Sequence, residues 1–207
     1  MTSSQGLPER QWAWAASPGA VERRRSQAAS IVGERLVGVR YGTLDVAGWD
    51  PDLESDGPRV ITSEAEWADP CWRFSGFDGC DFGVELETSA GHMFAITWDP
   101  PGYTESLGLH STRLAELHMA AMATWDVTHR SGWVEHVGDL VSGVHLHYSS
   151  WDEVEGSWWC RNITLDFPRG RVQFVLGEYY EGTLAPSADG VAVIFGDAVP
   201  DWLVGGP

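Results

Sequence analysis

The chain has no lysine, a single asparagine (Asn162), only three cysteines and no apolar run long enough to cross a bilayer. Each shortage removes a class of explanation. All thirteen basic residues are arginines, set against thirty acids for a formal charge of -17, which repels a phosphate backbone instead of releasing counterions from it. Nucleic acid is therefore not an expected partner. The lysine and asparagine bias fits a GC-rich bacterial genome and carries no mechanism. A membrane helix needs about twenty consecutive apolar residues, and none is present. The stretch 1–20 places Glu9, Arg10, Trp12 and Trp14 where a secretory signal needs an unbroken apolar core. Cys71, Cys80 and Cys160 are odd in number and match no zinc or redox spacing. Thiols in a reducing compartment are the expectation, with a Cys71–Cys80 bridge the less favoured alternative. A soluble, cytoplasmic protein follows from these points.

Motifs of catalysis are scarce too. There is no Gly-x-Ser-x-Gly elbow, phosphate-cradling glycine loop, kinase set or dinucleotide fingerprint, so no cofactor is expected and catalysis stays an open question.

What is present is core material: 43% of the 207 residues are apolar and twelve are tryptophan, enough to offset the conformational entropy of folding one domain. Residues 1–16 show no period and read as a flexible N-terminal segment. Residues 17–207 read as one β-rich domain. Ser17, Pro18 and Glu22 supply an N-cap, a preset first turn and a favourable dipole charge for a short helix that Gly33 would end. Val37, Val39 and Tyr41 alternate with Gly38, Arg40 and Gly42 as a first strand. Two hairpins follow the same logic. Phe82, Val84 and Leu86 turn at Ser89-Ala90-Gly91 into Phe94, Ile96 and Trp98. Trp159, Ile163, Leu165 and Phe167 turn at Pro168-Arg169-Gly170 into Val172, Phe174 and Leu176. Leu140, Val144, Leu146 and Tyr148 form another core-facing strand, and 190–195 a short, nearly all-apolar one.

Leu114, Leu117, His118, Ala121, Met122 and Trp125 fall on one stripe of a 3.6-residue period and predict an amphipathic helix beginning near Ser111. The fold expected from these elements is mainly β, an antiparallel β-sandwich or β-barrel of about seven strands with one or two short helices.

Three constellations are candidates for chemistry. His145 and His147 share one face of a strand, roughly 6 to 7 Å apart by strand rise, close enough for one metal. The His-x-His start is similar to that of the cupin metal site, but the leading glycine is out of register and no Gly-x-x-His half follows. Two histidines on a solvent face are the plainer account, and no metal is expected. Asp52 to Gly57 echoes half of a calcium loop, but Pro58 follows the glycine and Ser63 stands where the bidentate glutamate belongs, so an acidic turn suffices. Glu85 and Glu87 share a face, which a solvated strand surface explains. Glu178 continues the register of Val172, Phe174 and Leu176 and would point inward unless the strand ends at Gly177.

Residues 45–69 read as a long connection carrying eight acids against Arg59 alone. Within it Trp49, Asp50, Asp52, Glu54, Asp56, Glu64, Glu66 and Trp67 combine aromatic anchors with a charged rim, the make-up of a binding hot spot. Two functions follow as expectations. The first is an acidic intracellular binding protein docking on a basic protein through this loop, as bacterial immunity proteins dock on toxins. The alternative is a small β-barrel or β-sandwich enzyme or ligand-binding protein with its pocket near His145, His147 and Glu178, joined by Tyr180.

Overall fold

A computed structural model describes residues 17–44, 59–61, 72–99, 106–117, 122–130, 132–151 and 157–204. The expected flexible segment 1–16 lies outside them. The first element is the expected helix, α1 (Pro18–Ala28), with Pro18 in its first turn and the Ser17 hydroxyl accepting the Ala20 N–H at 3.2 Å. It ends sooner than Gly33, through a 3-10 turn at Ala29–Ile31.

The strands make a two-layer sandwich. One sheet has six strands in the order β2 (Arg59–Ile61), β7 (Met122–Asp126), β1 (Leu36–Leu44), β4 (Gly83–Thr88), β5 (Met93–Asp99), β6 (Ser106–His110). The other has five: β3 (Asp78–Cys80), β11 (Thr183–Phe195), β10 (Gly170–Tyr180), β9 (Ser157–Phe167), β8 (Gly143–Trp151). Between them lies a core to which Val39, Tyr41, Leu86 and Ile96 contribute from the first sheet and Ile163, Leu165, Phe174 and Val193 from the second. Sandwich, not closed barrel, is the architecture. Both expected hairpins form, with Leu86 opposite Phe94 and Ile163 opposite Phe174.

Four expectations need correction. Residues 114–125 are not one helix: α2 covers only Leu114–Leu117, and Met122–Asp126 is β7, where Trp125 pairs with Tyr41. Met122, Ala123, Thr124 and Trp125 are buried on both faces, as an interior strand requires, whereas an amphipathic helix would have turned Ala123 and Thr124 outward. The long connection also contains a strand, β2, which runs parallel to β7. The last strand starts at Thr183, because an irregularity in its pairing with β10 separates Pro186 from Val191. Finally, the pairing of β8 with β9 shifts at Arg161, so Cys160 takes a core position that simple alternation assigns to its neighbour.

The outer face of the second sheet is also covered. Val175, Ala192 and Ile194 pack with Phe77, and Phe74, Leu184, Trp202 and Leu203 flank them, the last two from α3 (Asp201–Val204). β10 is thus buried on both sides, while β8, at the sheet edge, receives α1 through Arg25, whose guanidinium donates to the Leu146 carbonyl. Among the described residues no helix is long and apolar enough to cross a membrane.

Candidate functional site

The residues expected to dock a partner, Trp49, Asp50, Asp52, Glu54, Asp56, Glu64, Glu66 and Trp67, lie outside the described residues, as does the calcium-like stretch 52–57. The histidine pair is described. The ring centroids of His145 and His147 are 6.4 Å apart, but each ring is engaged with β9. His145 Nε2 lies 2.7 Å from Asp166 Oδ2, and His147 Nε2 lies 3.2 Å from Thr164 Oγ1. Burial, then the neighbouring His145, lowers the His147 pKa. Among the described residues no three His, Cys, Asp or Glu side chains gather as metal ligands. The strand runs past Gly177, so Glu178 stays on β10, yet it is exposed near the end of the strand. Its register follows Phe174, toward the sandwich interior, whereas His145 pairs through Thr164 with Gln173 on the opposite face. Glu178 is therefore not brought to the histidines, and Tyr180 is 59% exposed.

Glu85 and Glu87 are not a solvated pair. Arg40 holds both, with Nη1 3.0 Å from Glu85 Oε1 and Nη2 2.9 Å from Glu87 Oε2. Glu85 is buried and its other oxygen accepts the Leu114 N–H at the start of α2. These carboxylates organise structure.

A different place collects chemistry. Arg73, Phe74, Phe77 and Asp78 around the start of β3, Gly132, Glu135 and His136, the Arg169-Gly170-Arg171 turn and the end of β11 at Phe195 line an open cavity of about 560 Å³. That size is within the range of small-ligand pockets. Gly132 has φ +92°, and a β-carbon there would sit 2.5 Å from ring carbons of Phe195. Only glycine suits that conformation and that space. It starts a 3-10 turn, Trp133–Glu135, that buries Trp133 and delivers His136.

From Trp133 a buried chain runs to the cavity. Trp133 Nε1–H donates to Tyr41 Oη at 2.6 Å, and Tyr41 O–H donates to Asp78 Oδ2 at 2.8 Å. Burial raises the Tyr41 pKa well above its usual value, so the phenol keeps its proton and remains a donor. Asp78 is only 9% exposed and forms no ion pair among the described residues. Burial pushes its carboxyl up to about 6, against the lowering effects of the Tyr41 bond and the Arg73 charge. His136 is 4% exposed, with its ring 4.8 Å from Phe167 and nearly parallel to Phe195 at 6.4 Å. Burial lowers its pKa, favouring neutral imidazole, and its Nδ1 has no hydrogen-bond partner.

The same lining carries guanidinium groups. Arg169 Nε is 2.8 Å from Asp139 Oδ2, and Arg171 Nε is 3.4 Å from Asp166 Oδ1 and 3.2 Å from Asp197 Oδ1. Both pairings use Nε, so the terminal amino nitrogens of both arginines are left for other partners. Arg73, Arg169 and Arg171 share this lining with Asp78 and Glu135, and Asp139, Asp166 and Asp197 stand beside the last two arginines.

No motif in the sequence marks Asp78, His136 or Arg171. Asp78 stands between Phe77 and Cys80 in a strand too short to register by alternation, and His136 lies in what read as a break between glycines. The usable signal is the pair Asp78 and Asp81 set among Phe77, Cys80 and Phe82.

Fold and site together define a two-sheet β-sandwich with a mixed-charge cavity bounded by turns and strand ends. Comparison of the chain with protein-family models, curated proteins and solved structures finds no match.

Proposed function

We propose that this protein binds a small organic anion in the cavity between Asp78, His136, Arg169 and Arg171. The observation that carries this reading is the placement of two guanidinium groups, with Nε but no terminal nitrogen in their ion pairs, on a cavity that also holds the buried Asp78 and His136. Paired N–H donors of arginine match carboxylate and phosphate oxygens, and such charge-assisted bonds are about twice as strong as neutral ones. Phe74 and Phe77, ring centroids 5.2 Å apart at 27°, supply an apolar wall for the body of the ligand.

The test is a thermal-shift and equilibrium-dialysis screen with aliphatic and aromatic carboxylates and phosphate monoesters. A binder should raise the melting temperature in a saturable way, and Arg169→Gln with Arg171→Gln should weaken it at least about tenfold. A double variant that binds as well as the parent would refute the assignment.

A second reading is supported by charge. An acidic protein of the cytoplasm, docking on a basic protein as immunity proteins dock on toxins, would use residues 45–69 with Trp49 and Trp67 as anchors. The net charge of -17 and the eight acids in that loop favour fast, steered association with such a partner. The two readings are compatible, since the cavity and the loop involve different residues.

A further inference from the structure

We infer that the ligand of this cavity is a zwitterion, an apolar amino acid whose carboxylate meets Arg169 and Arg171 and whose ammonium meets Asp78. The inference rests on the anion-binding reading and names the ligand class. Its ground is the unequal treatment of the charges on the cavity wall. Arg169 and Arg171 each have a carboxylate on Nε and retain outward donors. Asp78 has the reverse character: one oxygen accepts from Tyr41, and no cation of the described residues lies within ion-pair distance.

A carboxylate that far from water costs free energy unless it is protonated or paired. The neighbouring Tyr41–Trp133 chain fixes its orientation without neutralising it, because both are neutral donors, and Arg73, its bridge partner, favours the charged form only from beyond ion-pair distance. A ligand that brings a cation satisfies Asp78, and a ligand that brings an anion satisfies the arginines. An amino acid brings both in one molecule. The stacked wall sets the third property. Phe77 lies against Phe74, and Phe74 lies 4.5 Å from Tyr179 at 7°, an aromatic ladder that favours an apolar or aromatic side chain over a charged one.

The orphan Nδ1 of His136 adds a neutral polar partner nearby. The lowered His136 pKa keeps that partner uncharged, so it does not compete with the ligand ammonium for Asp78.

The experiment uses the full chain and two matched pairs of probes: phenylalanine with 3-phenylpropanoate, and leucine with 4-methylpentanoate. Each pair differs only in the amine. Calorimetry at pH 7.5 should give an amino acid at least about tenfold tighter than its amine-free partner, the range of a charge-assisted hydrogen bond. Asp78→Asn should erase that preference by weakening the amino acid, while the amine-free acid, relieved of a like charge, binds at least as well as to the parent. As a variant-free measure, the preference in the parent protein should shrink between pH 7 and 5, as the Asp78 carboxylate takes up a proton. Equal affinity within each pair overturns the zwitterion and leaves the anion reading standing. If none of the four binds, the zwitterion is overturned as well, and the wider carboxylate and phosphate screen decides the anion reading separately.

Discussion

Asp78→Asn also makes a prediction about the empty protein. The folded carboxyl sits at about 6 against an ordinary 3.8, a raised acid, so between those values the folded chain holds more protons than the unfolded one. Above pH 6 the buried charge therefore opposes folding, by about 3 kcal/mol at 1.36 kcal/mol per unit. Acidification relieves that opposition progressively down to pH 3.8. Between pH 7.5 and 5 the linkage relation gives the parent a gain of about 1.4 kcal/mol relative to Asp78→Asn, which cannot titrate.

His136 and His147 work in the opposite direction. Their lowered folded values make protonation below the ordinary 6.5 favour the unfolded chain, so they remove stability on acidification. Both proteins contain them, and taking the difference cancels their contribution. The assay is urea unfolding of the two proteins at four pH values, with the difference in free energy plotted against pH. The asparagine can accept the Tyr41 hydroxyl as the aspartate does, so it should be at least as stable as the parent at pH 7.5. Parallel curves, with no convergence toward pH 5, would refute the burial argument for Asp78.

Ile163 and Phe174 face each other across β9 and β10 and are fully buried. Replacing either with alanine should cost about 2 to 5 kcal/mol in denaturant melts, and the double variant should lose less than the sum because the two share one cavity. For the docking reading, reversing Asp50, Asp52, Glu54 and Asp56 to arginine should abolish salt-dependent association with a basic partner while leaving the melt cooperative. A partner whose association rate ignores both the substitutions and ionic strength would remove the loop from consideration.

The parts of this fold that were legible in the sequence are those whose pattern is local. The Ser17-Pro18 cap, the hairpin turning at Ser89 to Gly91 and the turn at Pro168 to Gly170 each announce themselves within ten or so residues, and each is where it was expected. Met122 to Asp126 misled because its residues satisfy a helical stripe as well as a strand. The deciding factor was pairing with Tyr41, some eighty positions away. Cys160 changed face because of the shift at Arg161, which no alternation rule sees. The cavity was least legible of all. Asp78, His136 and Arg171 come from three separate stretches, and only the closing of the sandwich puts them on one wall.

β3 is three residues long and has one strand partner, β11, with Cys80 opposite Val191. During synthesis Asp78 leaves the ribosome after Tyr41 and Arg73, its hydrogen-bond and bridge partners, but its ladder partner Val193 follows 115 positions later. The β10–β11 hairpin is a local and fast event, whereas β3 joins its edge across a stretch that contains β4 to β10, a non-local and slower one. Until that docking occurs the carboxylate of Asp78 is solvated and unremarkable in its acidity. If the cavity binds as proposed, that binding is acquired late in folding, and a ligand present during refolding should accelerate recovery of the native state only at the final step.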